Sequence, residues 1–197
     1  MKNLLLFLTL LTSTNLVQSQ STGTMTDSRD GQTYRTVTYD IDGKSITWMA
    51  ENLNYEMDKS YAYNNDKANR EKYGLLYSWE AAINACPDKW RLPSREEGQA
   101  LINPFIDNVG SILALLDKGE ITNDNNTVVR NGFNARFGGF APRLDRFQQI
   151  GETTAFLIYG MKNRSDSKYV LILNGEVLPN ITGGFNMGAA YCRCIKK

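Results

Sequence analysis

Hydrophobic and polar positions follow a helical period most clearly within residues 73–97. Pro87 ends the first predicted helix, because proline has no amide donor and disfavours a helical residue before it. Ser94 and Glu97 then form a capping box, in which each side chain satisfies a backbone amide of the other residue, so a second helix is predicted over 95–102. The apolar positions of the first helix recur at spacings of three and four, which predicts one buried face: Leu76, Trp79, Ala82, Ile83 and Cys86.

A period of two predicts strands near both ends of the chain. Residues 33–39 and 44–49 are dense in β-branched and aromatic residues and flank Asp42-Gly43, a turn signal, which predicts a β-hairpin. Further strands are predicted at 154–159, at 169–173 and in the closing segment 188–197. Because the helices lie between the strands, this order favours an α+β domain with an antiparallel sheet over alternating βαβ units. The first hairpin and the last strand can then be neighbours.

The first nineteen residues have the pattern of a signal peptide. A short basic start precedes an apolar run over 4–11, and Val17-Gln18-Ser19 has the small residues of a cleavage site. The apolar run is far shorter than the roughly 20 residues that span a bilayer, so no membrane insertion is expected. We therefore predict cleavage after Ser19, a flexible lead-in over 20–29 and one domain over 30–197. Export to the periplasm, the cell surface or the medium follows.

Composition disfavours several classes of function. Basic and acidic residues are nearly balanced, 22 against 21, and neither forms a long run, so no surface for nucleic acid is indicated. The sequence contains no histidine, which is the usual general base and the commonest zinc ligand. We therefore expect no catalytic residue, no metal and no cofactor.

Three cysteines raise the question of a disulfide, because exported proteins form such bonds. Cys192 and Cys194 lie two positions apart in a predicted strand and so face the same side, which means that only one of them can join Cys86. The other is left as a free thiol or bonds to a second chain. A redox or copper site at Cys192 and Cys194 is the more specific alternative. Such a site needs an electropositive environment for the thiolates or further ligands in the geometry that the metal prefers. One structural bridge and one buried thiol are the favoured interpretation.

Three polar segments are candidates for ligand binding. Residues 50–72 lack periodicity and are interpreted as a long surface loop, in which Tyr61 and Tyr63 are candidates because tyrosine gives broad contact at low entropic cost. Residues 120–131 are predicted to form an asparagine-rich loop. Calcium binds six to eight oxygen atoms, and the four candidate side chains in this loop include only one carboxylate, which favours a solvated loop over a calcium site. A charged segment after the glycine pair is either a ligand rim or a solvated loop. The candidates in these last two segments are Asn123, Asp124, Asn125, Asn126, Arg143, Asp145 and Arg146.

Several short motifs, in their order along the chain, carry a resemblance to a known family. They are WMAENLNY at 48–55, YGLLYSWEAA at 73–82, AC at 85–86, WRLPSREE at 90–97, GF at 132–133, GG at 138–139 and RCIK at 193–196. With this series the chain resembles the Fibrobacter succinogenes major paralogous domain. That family of exported bacterial proteins is similar to the C-type lectin-like superfamily, in the branch shared with formylglycine-generating enzymes.

The resemblance implies both a fold and a covalent link. The implied fold is a C-type lectin-like α+β domain, with an antiparallel sheet closed by the N- and C-terminal strands, two flanking helices and a long irregular loop region that carries the ligand. The resemblance also implies that Cys86 pairs with Cys194, which leaves Cys192 as the odd thiol.

These features favour a non-catalytic binding module for a protein or glycan ligand at the cell surface or in the periplasm. Two alternatives remain. An oxidase similar to formylglycine-generating enzymes is disfavoured, because those enzymes space their cysteine pair more widely than Cys192 and Cys194. A structural subunit of a surface assembly is the other alternative, and it would use Cys192 for a bond between chains.

Overall fold

The computed structural model of the chain describes residues 20–41, 43–106, 113–117, 132–160, 168–175, 177–183 and 187–197. Its strands are β1 (Gln20–Thr26), β2 (Thr33–Ile41), β3 (Lys44–Met49), β4 (Ser60–Tyr61), β5 (Leu76–Tyr77), β6 (Trp90–Arg91), β7 (Gly138–Arg143), β8 (Arg146–Ile150), β9 (Thr153–Tyr159), β10 (Lys168–Asn174), β11 (Asn180–Gly183), β12 (Ala190–Tyr191) and β13 (Ile195–Lys196). Its helices are α1 (Lys67–Tyr73), α2 (Trp79–Ala85) and α3 (Arg95–Ile102), with 3-10 turns at Tyr63–Asn65 and Asn103–Phe105. The fold is therefore of the α+β class.

The first sheet joins the two ends of the described chain. Its strand order is β1-β2-β3-β13-β6, and all of its pairs are antiparallel. Ile195 of β13 pairs with Trp48 of β3 on one side and with Arg91 of β6 on the other. The predicted hairpin, now β2 and β3, is confirmed, and so is the prediction that the last strand lies beside it.

The second sheet is mixed rather than purely antiparallel as predicted. Its order is β11-β10-β9-β12-β5-β4, and β12 runs parallel to β9. Strand β7 also pairs parallel with β9 and forms a hairpin with β8. Strands β9 and β10 confirm the predictions at 154–159 and 169–173. The parallel pairs could not be anticipated, because the alternation that predicts a strand fixes neither its partner nor its direction.

The closing segment belongs to both sheets and is therefore not the single strand that was predicted. β12 lies in the second sheet and β13 in the first, and the three residues between them cross from one sheet to the other. The carbonyls of Cys192 and Cys194 accept from the amides of Leu53 and Met49, both at 2.9 Å. Cys86, after α2, is joined to Cys194 by a disulfide with a Cα–Cα distance of 5.8 Å, which confirms the implied pairing.

Helix α2 is shorter than its hydrophobic period predicts. Leu76 and Tyr77 are strand residues that pair with β12 and β4, and the helix begins at Trp79 because the Ser78 side chain accepts from the Ala81 amide. Ile83 is 49% exposed, so the predicted buried face is wrong at this position. Helix α3, in contrast, has the predicted bounds, and both hydrogen bonds of the Ser94–Glu97 capping box are present.

Two other regions also differ from the prediction. Residues 67–73, all but the last of them in the predicted surface loop, form α1, which Asp66 caps by accepting from the Ala68 amide at 2.8 Å. Within the predicted flexible lead-in, Gln20–Thr26 form β1, which pairs in continuous register with β2. The predicted signal peptide, 1–19, lies outside the described residues. Among the helices that are described, none is both long and apolar enough to cross a bilayer.

The core divides into two clusters on opposite faces of the strands. Trp48 lies in one cluster and its neighbour Met49 in the other, as expected when successive side chains of a strand point to opposite sides. The same alternation continues through the closing segment. Cys192 and Cys194 lie with Met49, whereas the Arg193 guanidinium lies 4.3 Å from the ring centroid of Phe133, in the cluster of Trp48. A charged side chain is thus buried beside the first cluster.

Candidate ligand-binding cleft

A polar cleft of about 190 Å³ lies where distant parts of the chain meet. Its walls come from residues 32–35 at the start of β2, from 50–54 after β3, from 70–74 at the end of α1, and from 134–136. Arg193, from the segment between β12 and β13, lies at its floor. The first sheet and α1 position these walls, and the cleft's lining side chains are predominantly polar.

Hydrogen bonds of Arg193 hold the floor of the cleft in place. This residue is only 2% exposed. Its Nε donates to Asn52 Oδ1 at 2.8 Å, its Nη1 donates to the carbonyl of Phe133, and its Nη2 donates to the carbonyl of Asn134 at 2.9 Å. The guanidinium also lies over the rings of Phe133 and Phe156, at 4.3 and 5.1 Å from their centroids. These contacts fasten the segment 133–134 to the closing segment.

Arg193 forms no ion pair among the residues that the structure describes, although Glu51 attracts its charge from a greater distance. Burial disfavours the charged form and lowers the pKa of the guanidinium to about 9, so Arg193 is still a cation at neutral pH. Asn52 links this floor to α1, because its Nδ2 donates to the carbonyl of Tyr73 at 2.7 Å. The floor is therefore a buried cation held by neutral groups.

The rim is built from arginines that pair with carboxylates at the surface. Arg35 lies 3.2 Å from Glu51, Arg136 lies 2.6 Å from Asp117, and Arg70 pairs with Glu56. The side chains of Arg35 and Arg136 are 53% and 38% exposed, so solvent and ligands reach them. Five basic and two acidic side chains line the cleft altogether. The arrangement offers many hydrogen-bond donors to a polar or anionic group.

The predicted binding residues do not line this cleft. Tyr61 is half-buried in β4, and Tyr63 is 5% exposed with its ring 5.2 Å from that of Phe147. The expectation that Tyr63 is open to a ligand is therefore wrong, because its ring is part of the core. The charged segment after the glycine pair is exposed at the tip of the β7–β8 hairpin, and its members are Arg143, Asp145 and Arg146. Asn123, Asp124, Asn125 and Asn126 lie outside the described residues.

Cys192 is a free thiol that is completely buried. Burial raises the pKa of this thiol well above its ordinary value, so it is protonated at neutral pH and is a poor nucleophile. Its neighbour Cys194 is already bonded to Cys86. The hypothesis that Cys192 joins two chains is inconsistent with this position, because its sulfur does not reach the surface.

A second hollow, apolar and about 250 Å³ in volume, lies beside α2. Ile83, Leu92 and Tyr159 line it, and the ring of Tyr159 is stacked on that of Trp79 with a centroid distance of 6.2 Å. Its lining includes Arg91, which is bonded to Glu97 at 2.6 Å. The hollow offers apolar contact but few groups that could orient a ligand, so the polar cleft is the stronger candidate.

Sequence reasoning missed the cleft residues, although one signal for the floor was present. In a strand, a residue between two that face the core faces the other way. Arg193 lies between two cysteines that were expected on one face, so alternation places its side chain on the opposite face. Nothing comparable marks Arg35, Asn52 or Arg136, which fold next to one another from separate segments.

The comparisons with known proteins give one match. A family model described as the Fibrobacter succinogenes major domain matches residues 26–196. No curated protein and no solved structure matches the chain. Among the described residues there is also no group of three or more side chains of the kind that bind metal ions.

Proposed function

The chain belongs to the Fibrobacter succinogenes major domain family, and on that basis we propose that it acts outside the cytoplasm as a non-catalytic binding module. Its ligand is a protein or a glycan at the cell surface or in the periplasm. The observation that supports this proposal is the polar cleft, where side chains from several segments converge on one small volume. Convergent polar groups fix the orientation of a ligand in a binding site, and this cleft supplies several of them.

The scaffold below the cleft is suited to presenting a ligand site. Strand β13 lies between β3 and β6, and the disulfide from Cys86 reaches the residue directly before it. Arg193 extends the same segment into the floor, where it meets Asn52. Rigid elements of this kind hold binding side chains in a fixed geometry, which limits the entropy lost when a ligand binds.

The C-type lectin-like fold is part of this proposal. It is supported by the closing strand beside the first hairpin and by the disulfide between the end of α2 and the closing segment. These are the features that the family resemblance implies. Within such a fold the irregular connections carry the ligand, and residues 50–54 and 134–136 of the polar cleft are connections of this kind.

The environment of Cys192 argues against the alternatives. An oxidase that uses a cysteine pair needs two accessible sulfur atoms, but Cys192 is buried and Cys194 is bonded to Cys86. A subunit that is linked to its neighbours through Cys192 needs that sulfur at the surface. Neither alternative has a feature of the described residues in its favour.

An array of glycans and bacterial surface proteins tests the proposed function. The oxidised, exported protein is applied with and without a chelator, alongside Arg35→Gln at the rim and Arg146→Gln at the β7–β8 hairpin tip. We expect chelator-independent binding that Arg35→Gln weakens by about tenfold, the effect of one charge-assisted hydrogen bond. We expect Arg146→Gln, a matched loss of one exposed arginine, to bind as the wild type does.

Other outcomes of the array would contradict specific parts of the proposal. Binding that is lost in Arg146→Gln and kept in Arg35→Gln would move the site to the hairpin tip. Binding that disappears with the chelator would require a metal site. Copper-dependent oxidation of a cysteine-containing peptide that is lost in Cys192→Ser would replace binding with catalysis.

A further inference from the structure

Hydrogen-bond acceptors at the polar cleft are already used within the protein. Three of them accept from Arg193, others accept from Arg70, and a carboxylate accepts from the backbone amide of Arg35 at 2.7 Å. The oxygen atoms engaged in this way belong to Glu51, Asn52, Asn54, Phe133 and Asn134. A ligand that needs acceptors from the protein therefore finds few of them here.

Donors, in contrast, are left over at the mouth of the cleft. Among the described residues, the Arg35 side chain meets a carboxylate only through Nη2. Arg136 uses Nε for Asp117 and Nη1 for the carbonyl of Lys72, which leaves the N–H groups of its Nη2 for other partners. A guanidinium has five N–H donors in a planar fork that matches a carboxylate. Part of each fork is already in use, so the mouth offers single N–H donors from two arginines, and a carboxylate placed between them can accept one from each.

The floor adds an electrostatic argument. Arg193 is a buried cation whose partners, within the described part of the chain, are an amide and two carbonyls rather than a carboxylate. An anion above it would interact with this charge through protein rather than through bulk water, where the attraction is weaker. Burial also depresses the pKa of Arg193, and the attraction of Glu51 offsets this cost only in part.

We infer that the polar cleft is a carboxylate-binding site and that its ligand is a saccharide containing uronic acid. The inference rests on the proposed function, because it names the ligand of the same site. The carboxylate lies between the guanidinium groups of Arg35 and Arg136, above Arg193. The sugar hydroxyls contact the neutral polar side chains of the walls.

The lining favours a saccharide over an acidic peptide. Neutral side chains lie beside the arginines, and each makes a hydrogen bond within the protein but keeps further donor or acceptor sites for sugar hydroxyls: Gln32, Thr33, Asn54 and Asn134. Arginine clusters also recognise acidic peptides, but hot spots of protein interfaces are mostly apolar or aromatic anchors in desolvated pockets. Among the lining residues, Tyr34 and Tyr73 are 4% and 6% exposed, so they offer little apolar surface to such an anchor.

Two lining residues are acidic and oppose an anion. Glu51 is paired with Arg35, whereas Glu71 has no pair with a lining arginine among the described residues and so allows a test of the sign of the ligand's charge. Glu71 is exposed at the edge of the cleft, where its carboxylate lies 3.8 Å from Lys67. Its charge repels a carboxylate ligand but does not affect a neutral one in this way. Removal of the charge in Glu71→Gln therefore strengthens the binding of a uronate, whereas Arg35→Gln weakens it.

Calorimetric titration of the oxidised protein measures these effects. The probes are trisaccharides of galacturonate, glucuronate and mannuronate, their neutral hexose counterparts, and hexaglutamate. We expect at least one uronate to bind about tenfold more tightly than its neutral counterpart, through charge-assisted hydrogen bonds. We expect Arg35→Gln to weaken it about tenfold and Glu71→Gln to strengthen it about twofold to fivefold. Arg146→Gln is the control and leaves the affinity unchanged.

The outcomes separate this inference from the proposed function. Equal affinity for a uronate and its neutral counterpart, weakened by Arg35→Gln in both cases, would overturn the carboxylate assignment and keep the cleft as a binding site. Binding of hexaglutamate without any uronate would overturn the saccharide assignment. If none of the probes binds, both assignments fail, and array binding that depends on Arg35 still decides the proposed function.

Discussion

The floor and the rim of the polar cleft both use arginine, but for different purposes. At the floor, Arg193 is 2% exposed and its Nε, Nη1 and Nη2 all donate to protein oxygen atoms. At the rim, the Arg35 side chain is 53% exposed and meets one carboxylate through Nη2. The charge is equal, but every guanidinium nitrogen of the buried Arg193 is engaged within the protein, whereas the exposed Arg35 engages one. Use of the donors within the protein, rather than the charge, therefore separates a structural arginine from a binding one.

The floor and the rim also differ in what happens to the partners of the arginine when it is removed. Water replaces the contacts of an exposed arginine at little cost, so an exposed ion pair contributes about 0–1 kcal/mol to stability. The partners of Arg193 lie in the interior, where water does not readily replace a lost donor. The floor should therefore govern the free energy of unfolding, and the rim should govern the affinity for ligand.

The largest effect is expected from removal of the bridge beside the floor. Cys86→Ala with Cys194→Ala should lower the free energy of unfolding by about 4–5 kcal/mol, because the bridge joins residues 108 positions apart and restricts the unfolded chain. Urea denaturation monitored by circular dichroism measures the loss. Wild-type protein in reductant should match the double variant.

Cys192→Ala is the control for this experiment. It removes a buried thiol without touching the bridge, and a loss of about 1 kcal/mol is expected. A double variant that is as stable as the wild type would show that the floor holds its position without the covalent link. The distinction between a rigid floor and an adjustable rim would then fail.

The next largest effect is expected from the floor arginine itself. Arg193→Met keeps a long side chain over Phe133 but removes one donor from each of the oxygen atoms of Asn52, Phe133 and Asn134. A buried acceptor that loses its partner lowers the free energy of unfolding by about 1–3 kcal/mol. Because the structure relaxes in part around the three acceptors, a total loss of about 3 kcal/mol is expected. Urea denaturation again measures it. An unchanged stability would mean that the methionine packs well enough to replace the hydrogen bonds.

Local chemistry explains which elements could be predicted from the sequence. The β2–β3 hairpin has its turn signal and alternation within seventeen residues, and α3 has both partners of its capping box three positions apart. Strand β1 has no such signal, because its serine and threonine residues suit a loop equally well. It forms a strand only because β2 offers it a continuous register. The start of α2 was misplaced for a similar reason, since the pairing of β5 with β12 overrides the helical period.

The cleft could not be predicted, because no part of it is local. Its walls come from segments around residues 32, 52, 72 and 135, and its floor comes from residue 193. Tyrosine enrichment pointed instead to Tyr61 and Tyr63, which the fold uses for packing. Alternation between Cys192 and Cys194 indicated the side on which Arg193 lies, but not the carbonyls that it meets there. Long-range contacts of this kind follow from the topology of both sheets.

The smallest effect on stability is expected at the rim, and it completes the comparison. Arg35→Met is the same substitution as Arg193→Met, made in the same cleft, but it removes only an exposed pair with Glu51. The free energy of unfolding should change by less than about 0.5 kcal/mol, since surface substitutions away from buried partners rarely do more. Parallel urea denaturation of the two variants, with Arg146→Met at the hairpin tip as a second exposed control, measures the difference. If Arg35→Met cost as much as Arg193→Met, the rim would contribute to the fold as strongly as the floor does. The donors assigned to a ligand would then already be in use.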